Sequence, residues 1–148
     1  KKYTVASKIY LRFQSNYPDH KLASRAYFMA ANCLILEQKN IEAANKLLSA
    51  HNEQFEKGSK QLKVLAKVSY VGAIEILANM VETYKDNKKV RPEGMYWLGD
   101  CQYLNNEYTT SYQTFKKLTW DYPESKWAKI ARGRLTDERF ESFEKGLE

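Results

Sequence analysis

The sequence predicts an all-α fold in which antiparallel helix pairs, or αα-hairpins, stack side by side as a solenoid of about seven helices. Three observations predict this fold. Segments recur at separations near multiples of 34 to 35 residues. Within them, small and apolar residues follow the three- and four-residue spacing of a helix face. The 148 residues include only six Gly and three Pro, too few for an all-β chain with many tight turns.

The internal repeat is clearest in two pairs of segments. Residues 17–26 return as residues 122–131, at a separation of 105, and share Tyr, Pro, an acid, Lys and two Ala. Residues 3–17 return as residues 70–84, at a separation of 67. Self-similarity at a fixed period of this size is typical of solenoid proteins.

Residues 95–118 show the repeating unit most completely. Residues at helical spacing in its first helix share one face: Met95, Leu98, Gly99 and Gln102. Those of its second helix do the same: Ser111, Tyr112, Phe115 and Leu118. Between the two helices lies Asn105-Asn106-Glu107, and Asn tolerates the left-handed conformation that ends a helix. The unit is therefore an αα-hairpin of about 34 residues.

This unit, continued to residue 123, resembles the tetratricopeptide repeat. The residues that match the family pattern are Leu98, Gly99, Tyr108, Ser111, Phe115 and Pro123. Gln102 and Asn106 depart from the pattern, since the family often has Tyr and Gly at these positions. Ser111 matches in small size, although the family usually has Ala there. The resemblance implies a right-handed solenoid that acts as a protein–protein interaction scaffold.

The Tyr-Pro-acid-x-Lys-x-Ala-x-x-Ala pattern of residues 122–131 resembles one branch of this family, the bacterial envelope type. That branch includes the outer-membrane assembly lipoprotein and the Tol-Pal accessory protein. The resemblance implies a periplasmic or cell-envelope location and a role in envelope assembly. Because the sequence starts without Met or a signal-peptide pattern, we expect one domain cut from a longer protein, beginning mid-repeat.

The other segments are assigned by comparison with this unit. Residues 3–17 are predicted as the second helix of a hairpin whose first helix is missing. Residues 27–55 are predicted as a weaker copy of the hairpin, on the spacing of Ala30, Ala31, Ala43, Leu47 and Ala50. Residues 59–84 form one helix or two, with Ser69 or Gly72 as the candidate break, and one long helix is slightly favoured.

The C-terminal segment changes its apolar face. Trp127, Ile130 and Leu135 point to one side of a helix, whereas the apolar residues that follow point to the opposite side: Phe140, Phe143 and Leu147. The change falls at residues 136–138, where Thr followed by acids signals a helix N-cap. Either a new helix starts there or one helix has two faces. Residues 137–148 then either cap the last repeat or dock onto a partner, including a second copy of the chain.

The chain is basic, with 24 Lys and Arg against 18 Asp and Glu. The positive residues are densest in two clusters: Lys85, Lys88, Lys89 and Arg91, and Lys126, Lys129, Arg132 and Arg134. Solvated helix faces are the favoured interpretation, since no nucleic-acid motif accompanies them. A positive surface would steer acidic protein partners toward the chain.

The family resemblance also implies a groove lined by the first helices of successive repeats, in which a peptide lies. Counting along this sequence, the groove-facing residues are Phe28, Asn32, Ile35, Tyr96, Asp100 and Tyr103. Tyr96 and Tyr103 are the side-chain type enriched at binding hot spots. The family's carboxylate clamp is not reproduced, because Asp100 would repel a carboxylate. The alternative is a solvated face without function.

No catalytic pattern is present in the sequence. His20 and His51 lack metal-ligand partners at suitable spacing, and no phosphate-binding glycine motif occurs. Cys33 and Cys101 occupy equivalent repeat positions and are predicted as separate buried residues, not a disulfide. We therefore expect no enzyme activity, no metal, no cofactor and no small-molecule substrate.

The sequence thus favours a scaffold that binds a peptide or partner protein in its groove. One alternative is attachment to an anionic surface, lipid headgroups or, less favoured, nucleic acid, through the basic clusters. Another is a purely structural spacer. No apolar run approaches the roughly 20 residues that a membrane-spanning helix needs.

Overall fold

Every regular element that the structure describes is helical. The structure is a computed structural model that describes the backbone of residues 2–49 and 56–144, and the side chains of residues 2–39, 41, 70–141 and 143. Its helices are α1 (Lys2–Asn16), α2 (Ala23–Ser49), α3 (Glu56–Thr83), α4 (Arg91–Leu104), α5 (Tyr108–Asp121) and α6 (Lys126–Arg134), followed by a 3-10 turn (Glu138–Phe140) and the short α7 (Glu141–Glu144). The predicted all-α fold of packed helix hairpins is confirmed. Within the described ranges, no helix is both long and apolar enough to cross a bilayer.

The chain folds as two compact units, Lys1–Ile76 and Leu77–Glu148. In the first unit, α1 and α2 pack as a hairpin, and Thr4 Oγ1 donates a hydrogen bond of 2.5 Å to Glu37. The buried residues of this unit are mostly small: Ser7, Ala23, Ala26, Ala30, Ala31 and Ala73. Small side chains let helix axes approach closely, which explains why alanine dominates this core.

Residues 23–49 form one continuous helix, so the hairpin predicted for residues 27–55 is wrong. At the separation of 68 residues that relates Cys33 to Cys101, Glu37 and Gln38 occupy the positions of Asn105 and Asn106. Glu and Gln are good helix formers, whereas Asn favours turns, so the helix continues where the other repeat turns. Residue 50 and the side chains of residues 43 and 47 lie outside the described residues.

The α3 helix spans Glu56–Thr83 without interruption, which confirms the slightly favoured single helix for residues 59–84. Gly72 lies inside it, and a Cβ there would be 3.0 Å from Leu34 Cδ1. The C-terminal turns of α3 belong to the second unit. There Met80 is fully buried, and Val81 Cγ2 lies 3.1 Å from the position a Cβ would take at Gly94 of α4.

The turn between α4 and α5 forms at the predicted residues. Asn106 has a φ of 66°, and it is the one non-glycine residue with positive φ among those the structure describes. Asn106 Oδ1 accepts a hydrogen bond of 2.7 Å from the Tyr108 hydroxyl, and Asn105 Nδ2 donates one of 2.6 Å to Glu107. Asn therefore supplies both the left-handed backbone and the side-chain contacts that hold the turn.

The α4 and α5 helices cross at Gly99 and Ser111. A Cβ at Gly99 would lie 2.7 Å from Phe115 Cε1, so only glycine fits at this crossing. Ser111 is fully buried, and its hydroxyl donates a hydrogen bond of 2.7 Å to the Gly99 carbonyl. The Ser that replaces the family's usual Ala is thus small enough for the crossing, and its polar group is paired.

A new helical turn begins at Asp137, whose side chain accepts a hydrogen bond of 3.0 Å from the Arg139 amide. This corresponds to the predicted alternative of a second helix start after α6. Phe140 is fully buried against Tyr103 and Tyr112, with ring centroids 5.7 and 5.6 Å away. Phe140 therefore caps the core of its own unit and is not available for docking.

Phe143 is partly buried and its ring lies 5.9 Å from that of Tyr112, on the same side as Phe140. It extends the cap instead of facing away from it. Leu147, the third residue of the predicted docking face, lies outside the described residues.

Candidate functional site

The surface shared by α4 and α6 carries a cluster of three aromatic side chains, which we call the aromatic cluster: Tyr96, Trp97 and Trp127. The Tyr96 ring lies 5.4 Å from Trp97 and 5.2 Å from Trp127, and the two Trp rings are 6.0 Å apart. All three are partly exposed. Such a cluster offers rigid, amphipathic contact area, which is typical of binding surfaces.

Local signals position the two helices that carry this cluster. Pro92 stands in the first turn of α4, where its missing N–H costs nothing. Ser125 caps α6, and its hydroxyl accepts a hydrogen bond of 3.0 Å from the Ala128 amide. Ala128 and Ala131 are fully buried, so α6 lies close to its neighbours and holds Trp127 beside Tyr96.

An ion pair borders the aromatic cluster. The Arg134 guanidinium donates a hydrogen bond to the carboxylate of Asp100, one turn along α4 from Tyr96. Burial raises the pKa of the Tyr96 hydroxyl, the charge of Asp100 raises it further, and Arg134 lowers it. Asp100 was expected to face a groove and repel a carboxylate; here Arg134 compensates its charge.

Tyr103 was predicted to face the groove, but it is only 8% exposed. Its hydroxyl donates a hydrogen bond of 2.5 Å to Asp137. Two guanidinium groups stack on its ring, Arg134 at 4.7 Å and Arg139 at 4.4 Å from the centroid. The C-terminal cap, formed by Asp137, Arg139 and Phe140, covers Tyr103. Tyr103 is therefore not part of the exposed candidate site.

Both polar contacts join residues 34 positions apart, Asp100 to Arg134 and Tyr103 to Asp137. This separation equals the repeat period, so equivalent positions of consecutive repeats, both within the second unit, lie side by side. Complementary residue types at the repeat period were the signal in the sequence that could have identified these pairs. Trp97 and Trp127 were also missed, because aromatic residues were assigned mainly to the core.

In the first unit, the three predicted groove residues differ in exposure. Ile35 is 9% exposed and belongs to the core, and Phe28 is partly buried. Asn32 is exposed on α2, where its amide is accessible to a peptide backbone. Asn32 therefore stays a prediction, whereas Ile35 is a packing residue.

The first basic cluster lies in and beside the turn that joins α3 to α4. Its three lysines, at positions 85, 88 and 89, are exposed, and Arg91 donates a hydrogen bond of 3.1 Å to the Lys85 carbonyl. Asn87 holds this turn, since its side-chain oxygen accepts from the Lys89 and Val90 amides, each at 3.1 Å.

The second basic cluster does not form one uniform surface. Arg134 pairs with Asp100, and Arg132 donates a hydrogen bond of 2.8 Å to the Pro123 carbonyl. The Lys126 ammonium lies 4.6 Å from the centroid of the Trp127 ring, and Lys129 is exposed. Much of this charge therefore serves contacts within the chain.

The described histidine and cysteines, which were considered for catalysis or metal binding, lie in a turn or are buried. His20 Nδ1 accepts a hydrogen bond of 3.2 Å from the Leu22 amide in the α1–α2 turn. Cys33 and Cys101 are buried thiols that are not joined in a disulfide, and burial raises the pKa of Cys33. Among the described residues, no group of three or more His, Cys, Asp or Glu side chains is arranged to hold a metal ion. His51 lies outside them.

Residues 93–125 match the family model of the tetratricopeptide repeat. The match covers most of α4, all of α5 and the turn that leads to α6, and it supports the resemblance of residues 95–123. Tetratricopeptide repeats generally mediate protein–protein interactions, and the family is typically a non-enzymatic scaffold. No curated protein and no solved structure matches the chain.

Proposed function

We propose that this chain is a protein-interaction scaffold and that it binds a peptide segment of a partner protein on the α4–α6 surface. The observation that carries the proposal is the aromatic cluster, whose three rings stay partly exposed beside a matched tetratricopeptide repeat. Aromatic side chains contribute a large share of binding energy at protein interfaces. A setting in the bacterial cell envelope is proposed on the resemblance of residues 122–131 alone.

The charges around the aromatic cluster fit a peptide ligand better than an anionic surface. The ion pair of Asp100 and Arg134 is neutral as a unit, and Lys126 lies over the Trp127 ring. Binding there depends mainly on apolar contact, so it should weaken only mildly as salt increases. Attachment to lipid headgroups or nucleic acid would weaken steeply.

A phage-displayed library of random peptides of about 12 residues, selected on the immobilised protein, tests the proposal. We expect enriched sequences on the native chain that are lost on a Trp127→Leu variant, which keeps an apolar side chain for folding. A Tyr17→Ala variant is the control, because Tyr17 is an exposed aromatic residue in the first unit. Absence of enriched sequences, or equal enrichment on Trp127→Leu, would contradict the proposal.

A further inference from the structure

Trp120 is the most exposed large apolar side chain that the structure describes, with 87% of its surface accessible. It stands near the end of α5, opposite the face that buries Tyr112, Phe115 and Leu118. The packing of the second unit does not use this indole. A single exposed apolar residue is common on protein surfaces, so its surroundings decide whether it has a role.

Trp120 lines a surface depression of about 570 Å³ where the end of α5 meets α6. The lining residues are Lys116, Lys117, Thr119, Trp120, Asp121 and Arg132. The indole therefore borders a shallow, open depression whose other lining residues are polar or charged. This combination of an aromatic anchor and a polar rim is typical of interaction sites.

The lining carries three positive side chains and one negative side chain. The negative one, Asp121, already lies 2.9 Å from the Lys117 ammonium. Arg132 donates one hydrogen bond to the Pro123 carbonyl, and a backbone carbonyl does not cancel its charge. An Arg guanidinium has five N–H donors in a planar fork suited to a carboxylate. The depression is therefore complementary to a negatively charged group beside an apolar one.

We propose that this depression, the Trp120 site, binds an acidic segment of a partner protein. An apolar side chain of that segment lies on the Trp120 indole, and a neighbouring carboxylate accepts hydrogen bonds from Arg132. The inference builds on the proposed scaffold function and adds a second contact surface with its own preference. It also names the acidic class of partner that the positive net charge of the chain favours.

A protein segment fits this site better than a membrane or a nucleic acid. The other exposed residues on the Trp120 face of α5 are polar or charged: Thr109, Gln113, Lys116 and Lys117. A membrane-surface helix needs a broad apolar face, which α5 lacks on this side. A net of two positive charges in the lining would neutralise few phosphates of a nucleic acid. The Trp120 indole and the Arg132 guanidinium, in contrast, suffice to contact two adjacent side chains of a protein segment.

The test uses a phage-displayed peptide library rich in Asp and Glu around one varied central residue, with the full chain as the target. The strongest selected peptide is synthesised with a fluorescent label, and its Kd is measured by anisotropy. We expect Trp120→Ala and Arg132→Glu each to raise Kd about tenfold or more. The matched controls are Tyr17→Ala, an exposed aromatic residue elsewhere, and Lys129→Glu, the same charge reversal on α6. Both should stay within about twofold.

Because Trp120 is exposed, Trp120→Ala should keep the native thermal midpoint. Arg132→Glu loses the hydrogen bond to the Pro123 carbonyl and should lower the midpoint slightly, and a cooperative thermal transition verifies that each variant folds. Equal binding by Trp120→Ala, or failure of the acidic library to yield any sequence, overturns the Trp120 site. Trp120-dependent binding to phosphatidylserine vesicles without peptide binding overturns it in favour of a lipid surface. If the random library still yields Trp127-dependent sequences, the scaffold proposal stands while this inference fails.

Discussion

Asp100 of α4 and Arg134 of α6 are 34 residues apart and form an ion pair at the border of the aromatic cluster. The pair is partly exposed, with 20% and 33% of the two side chains accessible. Arg134 also stacks on the Tyr103 ring, so it contacts α4 at two positions. The repeat period thus brings complementary charges of consecutive repeats together within the second unit.

Removing the charge of Asp100 should lower the pKa of the Tyr96 hydroxyl. The Asp100 carboxylate disfavours the negatively charged tyrosinate, so Asp100→Asn should shift the pKa of Tyr96 down toward its ordinary value. Burial, the larger cause of the rise, would persist in this variant. Titration of the Tyr96 ring by NMR measures the change.

In the Arg134→Gln variant the pKa of Tyr96 should shift in the opposite direction, because loss of the guanidinium raises it further. A downward shift in that variant would contradict the assignment. Because the folded-state pKa lies above the ordinary tyrosine value, neutral Tyr96 contributes stability at lower pH. This stability is lost as the pH rises through the raised pKa.

A Gly99→Ala substitution should destabilise the second unit by about 2–3 kcal/mol, because the added methyl group overlaps the Phe115 ring. Gly133→Ala is the matched control, since a Cβ there meets nothing within 4 Å. In a helix that substitution should be neutral or stabilise by up to about 1 kcal/mol. Urea denaturation of both variants measures the difference, and equal free energies of unfolding would show that the α4–α5 crossing is not tight.

Phe140→Ala should destabilise the fold by about 3–5 kcal/mol, because it leaves a cavity among Tyr103, Tyr112 and Phe115. Thermal denaturation measures this loss, and sedimentation measures the assembly state. If Phe140 instead served a second copy of the chain, the variant would keep its thermal midpoint at low protein concentration and lose only self-association.

The turn at Asn106 should tolerate Gly better than Ala. The left-handed backbone costs an Ala residue roughly 1–2 kcal/mol, while Gly adopts it freely. Asn106→Gly relieves the backbone strain but loses the hydrogen bond from the Tyr108 hydroxyl. Because these two effects oppose each other, the stability of this variant should lie near that of the native chain. Thermal midpoints of the two variants would rank them, and a more stable Ala variant would exclude backbone strain at this turn.

The local features of the hairpin at residues 95–118 were predictable from its residues. Asn105 and Asn106 indicate a turn, and the spacing of small and large side chains indicates which faces meet. The hairpin predicted for residues 27–55 does not form, because Glu37 and Gln38 continue the helix at the positions where the other repeat turns. Small residues at repeat spacing do not by themselves create a turn.

The candidate site was only partly predictable. Tyr96 and Asp100 were predicted on a common face, and the structure places Tyr96 in the aromatic cluster and Asp100 at its border. Tyr103 shares that face but lies under Arg139 and Phe140, residues of a C-terminal segment whose position the sequence left open. Helical spacing shows that side chains share a face, but it does not show which neighbour covers each part of that face.

The sequence by itself determined the all-α class, the period near 34 and the turn at Asn106, because these depend on residues close together along the chain. Only the tertiary structure decided that Phe140 is a cap, that Trp127 meets Tyr96, and that Trp120 stays uncovered. Those outcomes depend on how helices distant in sequence approach one another, since burial is a property of the packed neighbours and not of the helix that carries the side chain.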